Sequence, residues 1–336
     1  MKIIIKDIAS NLPEQIVTNQ DLHKSHPEWN MDLVGFRTGV EQRHIAQKDE
    51  TALDLAVGAC RRIFDNNEGL AEKIDGVIFC TQSADYIMPP NACVLHKELE
   101  LKDDIFAFDF NLACSGYVYG LALAQGLISS GMLNDILFVT GDTYSKYIHD
   151  DDRSAKVLFG DGAAVSWITA SDSSAGILDI QCSTSGKDFE KFIIPAGGNR
   201  APFCKETKIV NTDYSGSARS LENIHMDGTG ILVFVNSKTP KQILDILGRN
   251  QLKIEDIDLF VFHQASKMAL DSLTRILNIE PEKVFQNLNT VGNTVSSSIP
   301  IALEEAKAQG RLKAGGKVLL SGFGVGLSWA TAIMEI

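Results

Sequence analysis

The sequence predicts an α/β fold made of two related halves, and three observations predict it. Short apolar, largely β-branched or aromatic runs recur at Gly76–Phe79, Ile105–Asp109, Asp135–Thr140, Leu259–Phe262 and Lys317–Ser321, with helical patterns between them at Thr51–Asn66, Pro240–Asn250, Ala269–Leu277 and Ile301–Gln309. Such alternation argues largely parallel sheets joined by helices. The runs are apolar throughout rather than at every second residue, as in strands covered on both faces. The chain also repeats itself. "IDGVIFCTQSAD", "FNLACSGYVYG" and "DILFVTGDTYS" are answered in order by "IDLFVFHQASK", "LNTVGNTVSSS" and "KVLLSGFGVG". Cys114 to Gly131 is 17 residues and so is Asn293 to Gly310; Gln82 to Cys114 is 32, against 29 for Gln264 to Asn293. That spacing indicates a duplicated half, residues 1–172 and 173–336, with the seam in the polar stretch 170–175.

Along the chain, a short charged alternation opens the sequence and lacks the apolar core of a signal peptide. After the Ile105–Asp109 strand comes a stretch with no charge, from Phe110 to Gly131. It reads as a helix carrying Cys114 in its first turn, apolar on every side and therefore buried, and stopped by Gly131 in a left-handed cap. "FGDGAAV" (residues 159–165) reads as a turn into a buried strand, since no lysine follows to make it a phosphate loop. Gly197–Ser220 is rich in turn formers and reads as a long excursion bordering a site. "SGFGVGLSW" (residues 321–329) has no GxGxxG spacing and reads as a tight turn bringing backbone N–H groups, that of Val325 among them, toward the site.

Composition narrows the function. The chain has 336 residues and a formal charge of -12, which argues against a nucleic-acid partner because such proteins show a basic stripe. No span has the length and purity of a membrane helix. Six cysteines are scattered without a CxxC pair, which reads as reduced thiols in a cytoplasmic protein, without a disulfide frame or metal site.

Chemistry concentrates at matched positions of the repeat. A thiol at a helix start meets exposed N–H groups and the positive dipole end, so Cys114 is expected to ionise below the ordinary value of about 8.5. The same N–H groups suit a developing oxyanion. The repeat mate of Cys114 is Asn293, and where Thr81 ends a strand in the first half, His263 ends one in the second. Pseudo-symmetry would bring a thiol, an imidazole and a carboxamide together. Singly, each has a bland reading: a small core residue, a satisfied core histidine, a turn or cap asparagine. Jointly, they suit an acyl group passing through a cysteine.

The residues "FDFNLACSGYVYGL", "VLFGDGAAV", "FHQAS", "NTVGNTVSSSIPIAL", "SGFGVGLSW" and "RTGVEQRHIA" resemble the β-ketoacyl-[acyl-carrier-protein] synthase III family of thiolase-fold condensing enzymes, in order and over nearly the whole length. The resemblance implies a thiolase-like five-layered αβαβα fold and a homodimer. It implies that Cys114 takes an acyl group from acyl-CoA and that malonyl-acyl carrier protein is decarboxylated beside His263 and Asn293. The N–H groups of Cys114 and Val325 would form the oxyanion hole, with no metal or redox cofactor. Arg37, Arg153, Met88 and Phe323 would border the substrate path, with Lys267 and Arg275 toward the carrier protein. Thiolases themselves carry a second cysteine near the C-terminus, absent from "SGFGVGLSW"; a two-histidine branch would need His at Asn293. Several positions depart from the family pattern. Leu33 stands where a tryptophan usually stacks on the CoA base, with Trp29 nearby, and Met268 stands where an arginine is usual. Lys241 and Arg249 are further candidates for a basic docking patch. Two other readings remain at this stage: transfer of the Cys114 acyl group to an oxygen or nitrogen nucleophile, and a non-catalytic scaffold.

Overall fold

The computed structural model describes residues 2–171 and 175–336; the seam expected at 172–173 lies outside the described residues. The elements that position the site are, in chain order, β1 (Lys2–Asn11), α1 (Ala52–Asn66), β2 (Gly76–Cys80), α2 (Asn91–Glu98), β3 (Phe106–Phe110), α3 (Gly116–Ser129), β4 (Asp135–Asp142), β5 (Gly162–Ser171), β6 (Gly176–Thr184), α4 (Gly228–Arg249), β7 (Leu259–Phe262), α5 (Lys267–Ile276), α6 (Ser298–Ala308), β8 (Lys317–Gly324) and β9 (Ser328–Glu335).

One sheet has the order β1-β5-β4-β2-β3 and the other β7-β8-β9-β6. In the first, β2 runs parallel to both β3 and β4, while β4–β5 and β5–β1 are antiparallel. The second repeats this: β7–β8 parallel, β8–β9 and β9–β6 antiparallel. Where the first sheet has β3, the second has a single parallel bridge between Phe260 and Val284. The sheets are thus mixed rather than largely parallel. Parallel neighbours need a helical crossover, but the short return after Gly324 permits an antiparallel one.

α3 and α6 lie between the sheets, α1 and α2 cover the outer face of the first, and α4 and α5 cover the outer face of the second. α3 sits so close to its sheet that a β-carbon at Gly120 would lie 2.0 Å from the Phe138 ring. It is not buried all round, however: Leu123 is 40% exposed, because only one stripe of a helix can face two sheets at once. Gly131, in the left-handed region (φ 73), ends it as expected.

Local chemistry sets the helix ends. Thr51 and Asp54 form a reciprocal capping box at α1, satisfying two otherwise orphan donors. α4 begins at Gly228, well before the expected Pro240, because Asp227 caps it on the Gly230 N–H (2.9 Å) and Phe234, Val235 and Thr239 are buried ahead of the proline. Burial of that face outweighs the local preference of proline for a first turn. The Gly197–Ser220 excursion includes a short ribbon, Asn211–Thr212 with Ala218–Arg219. It is held down by Arg219, which pairs with Asp152 (3.1 Å) and Asp213 (3.2 Å).

Candidate active site

Cys114 lies two residues ahead of α3, in a turn closed by the Gly116 N–H on the Ala113 carbonyl (2.7 Å), so it is not in the first helical turn. The end of β8 passes directly over it. A β-carbon at Gly322 would lie 2.4 Å from the Cys114 carbonyl oxygen, and one at Gly324 2.9 Å from Cys114 Sγ. The backbone N–H groups of Cys114 and Val325 lie close enough to the sulfur to favour its charged form. Cys114 is 3% exposed. Burial, and secondarily the carboxylate of Asp142, push its thiol pKa well up, against the smaller pull of the two N–H groups. The expectation of a lowered thiol pKa is therefore wrong. Loss of hydration for the thiolate outweighs a few backbone dipoles. Gly324→Ala is expected to lower stability by about 1–3 kcal/mol through overpacking; an unchanged urea midpoint would rule out this close approach.

His263 immediately follows β7, whose pairing with β8 continues through the His263 N–H to the Ser321 carbonyl (2.8 Å). Its ring is buried, edge-on to Phe323 with centroids 5.7 Å apart. Nδ1 is 2.6 Å from Ser298 Oγ, at the start of α6. Burial alone lowers its pKa to about 3, so the imidazole is neutral across the physiological range. Sulfur and imidazole thus both pack on the Phe323–Val325 segment of β8 and its turn.

Asn293 is fixed by backbone on both sides: its N–H donates to the Leu158 carbonyl (3.0 Å), and the Gly160 N–H donates to its carbonyl (3.0 Å). Its Oδ1 accepts from the Val295 N–H (3.0 Å), and its Nδ2 lies 3.5 Å from the carbonyl of Ala265, two residues after His263. Val295 has φ +54; a β-branched residue there costs of order 1–3 kcal/mol and persists only where surrounding contacts over-determine it. One such contact comes from Asp142, a residue the motif reading missed. Its carboxylate accepts the Ser296 N–H (3.3 Å) and the Gln82 N–H (2.8 Å), tying strand end β4 to the Asn293 turn. Burial raises its pKa to about 7. A signal existed: Asp142 ends an eight-residue strand as Gly324 does, so it is the repeat mate of the glycine over the thiol.

The peripheral candidates disperse. Arg37 is exposed on the helix Met31–Thr38, beside Leu33 and the 79% exposed Phe36. Trp29 is buried and stacked on His26 (3.9 Å), which leaves no face for a nucleotide base. Arg153 donates to the Ser215 carbonyl (3.2 Å), linking it to the long excursion. Met88 is 79% exposed and Phe323 is buried. Lys267 is paired with Asp271 and Arg249 grips Asp179 through two hydrogen bonds (2.8 and 2.9 Å), while Lys241 and Arg275 are exposed. Each cysteine is unpaired. Among the described residues no His, Cys, Asp or Glu cluster is arranged to hold a metal, and no helix is long and apolar enough to cross a membrane.

Comparison with known proteins agrees with this architecture. Residues 108–186 match the family model of 3-oxoacyl-[acyl-carrier-protein] synthase III, and residues 247–336 match the model of its C-terminal part. The chain is 36% identical over 338 residues to a β-ketoacyl-[acyl-carrier-protein] synthase III of Campylobacter concisus, covering 99% of this chain and 97% of the relative. It is 34% identical over 330 residues to one from Caldanaerobacter subterraneus subsp. tengcongensis, covering 97% and 96%. A crystal structure of a 3-oxoacyl-(acyl-carrier-protein) synthase III superposes with TM-score 0.98 at 38% identity, covering all of both chains. The duplicated sheets, the buried cysteine beneath a glycine turn and these likenesses agree, and the chain belongs to the β-ketoacyl-[acyl-carrier-protein] synthase III family of thiolase-fold acyltransferases.

Proposed function

We propose that the protein catalyses decarboxylative Claisen condensation between a Cys114-bound acyl group and a malonyl thioester. The observation that carries this reading is the pair of N–H groups beside the Cys114 sulfur, set across one turn from a neutral, buried imidazole. Cys114 Sγ attacks the carbonyl of acyl-CoA, the bond to the CoA sulfur breaks, and the thiol proton leaves on CoA. A neutral resting thiol suits this exchange because one thiol replaces another and no net charge is buried. The N–H groups of Cys114 and Val325 hold the oxygen of the tetrahedral intermediate.

Malonyl on acyl carrier protein then enters. Its bond to the carboxylate breaks, carbon dioxide leaves, and the electron pair passes to the thioester oxygen as an enolate. Asn293 Nδ2 and His263 donate to that oxygen. Ser298 Oγ lies 2.6 Å from His263 Nδ1 and accepts the Gln264 N–H (3.3 Å); with the Ser298 hydroxyl donating to Nδ1, the ring proton sits on Nε2, where a donor is needed. The enolate carbon attacks the acyl carbonyl, and Cys114 sulfur departs as thiolate and recovers a proton from solvent. The product is a β-ketoacyl thioester, formed without a metal or redox cofactor.

Arg37 and Arg153 are assigned to CoA, and Arg275 to the carrier protein, with Lys267 a weaker candidate because Asp271 engages its charge. The homodimer is supported by the edge strand β3, with Phe106 42% exposed, and by the loop carrying Tyr86, Ile87 and Met88, of which Ile87 is fully exposed. Met88 would reach the partner's acyl path, and Phe323 would line the protomer's own. The location is assigned as cytoplasmic. Carboxyl-labelled malonyl thioester, with the acyl-loaded protein, tests the reading: labelled carbon dioxide released in step with a β-ketoacyl product upholds it. Acyl transfer to an amine or alcohol without carbon dioxide would establish heteroatom transfer instead.

A further inference from the structure

The proposed chemistry gives Asp142 no step, yet Asp142 is a fully buried carboxylate whose negative charge opposes ionisation of the Cys114 thiol. A carboxylate in such a place is costly unless hydrogen bonds hold it. Oδ1 accepts the Gln82 N–H (2.8 Å) and faces the hydroxyls of Ser83 (3.4 Å) and Thr81 (3.5 Å). Oδ2 accepts both the N–H (3.3 Å) and the hydroxyl of Ser296. One oxygen thus holds the loop after β2 in the first half, and the other holds the short helical turn Val295–Ser297 in the second. Two residues back on β4, Thr140 Oγ1 lies 3.0 Å from Ser297 Oγ, so the strand end braces that turn at two points. The same turn orients Asn293. Val295 sits at φ +54, and its N–H holds Asn293 Oδ1 (3.0 Å), so the amide presents Nδ2 as its outward donor. The repeat is reciprocal here. Gly324 ends its strand over Cys114 of the first half, and Asp142 ends the matching strand against the Asn293 turn of the second. A glycine allows close approach; a carboxylate supplies the acceptors that a turn with a strained residue needs.

We propose that Asp142 is a positioning residue for condensation: by accepting both donors of Ser296 it holds the Val295 turn that aims the Asn293 amide at the enolate oxygen. This rests on the condensing reading above and adds a residue to it. Asp142 makes and breaks no bond. It acts on the two half-reactions in opposite directions, since its charge disfavours the Cys114 thiolate while its hydrogen bonds secure the donor of the later step.

The test measures the half-reactions of full-length Asp142→Asn separately: acyl transfer from acetyl-CoA, read by intact mass, and product formation from preloaded protein with a malonyl thioester. The amide keeps the shape of the carboxylate but has one acceptor oxygen in place of two, so the N–H of either Gln82 or Ser296 loses its partner and the brace is broken at one end. Loading is expected to be as fast as in wild type or faster. Condensation kcat is expected to fall by about 10–100-fold, the scale of an unpaired buried donor, with KM for the malonyl thioester within about 3-fold of wild type. General loosening of the site would slow both half-reactions. If Asp142→Asn does not fold, Ser296→Ala removes the hydroxyl donor alone and is expected to lower condensation by about 3–10-fold, again without slower loading. A folded variant that condenses at the wild-type rate, that changes KM alone, or that loses loading and condensation alike overturns the proposal and leaves the condensing reading intact. A wild type that releases no carbon dioxide from the malonyl thioester overturns that reading and this inference with it.

Discussion

A Cys114→Ala variant mixed with acyl-CoA is expected to gain no acyl mass, and its condensation rate to fall by roughly 10⁴-fold or more, the scale on which loss of a covalent nucleophile acts. Cys93, Cys182 and Cys204 are exposed and Cys114 is 3% exposed, so simple accessibility predicts the reverse order of labelling. Wild type is expected nonetheless to carry a single acyl group, on Cys114, because in the proposed mechanism the N–H groups of Cys114 and Val325 hold the thioester oxygen there. Cys80, the neighbouring buried thiol, has no such pair: its sulfur donates to the Leu112 carbonyl (3.1 Å). Equal labelling of wild type and Cys114→Ala, with the adduct mapping to an exposed cysteine, would end the covalent mechanism.

His263→Ala separates the two half-reactions. Acyl loading of Cys114 is expected to persist, since in the proposed mechanism the thiol proton leaves with CoA and the oxyanion donors are backbone. Condensation is expected to fall by about 10²–10⁴-fold, as for loss of a positioned proton-donating group. The pH profile sharpens the test. Burial holds His263 near pKa 3, so the ring stays neutral as pH falls from 8 to 5 and contributes no acidic limb near 6.5. A limb near 6.5 in wild type that vanishes in His263→Ala would mean that the working form is an imidazolium, and the hydrogen-bond scheme through Ser298 would fall. Loss of acyl loading in the variant, with condensation of preloaded protein intact, would reverse the division of roles.

Much of this protein is written in local pattern. The strand cores, the left-handed glycine after α3, and the matched positions of Cys114 with Asn293 and of Thr81 with His263 follow from spacing and residue type alone, because periodicity and turn chemistry act over a few residues. Other features depend on what the folded chain packs against a residue. Cys114 reads as an activated thiol from its own neighbours, but Gly322 and Gly324 roof it over and Asp142 opposes its charge, so burial reverses the direction of its pKa. His263 reads as a residue that titrates near neutrality until Phe323 and Ser298 enclose it. Arg249 looks free until Asp179, 70 residues away in the chain, binds it. The residue types proposed for the chemistry were decided by the sequence. Their ionisation and their partners were decided by the fold, because hydration is lost according to what packs from elsewhere in the chain, and no local window contains that.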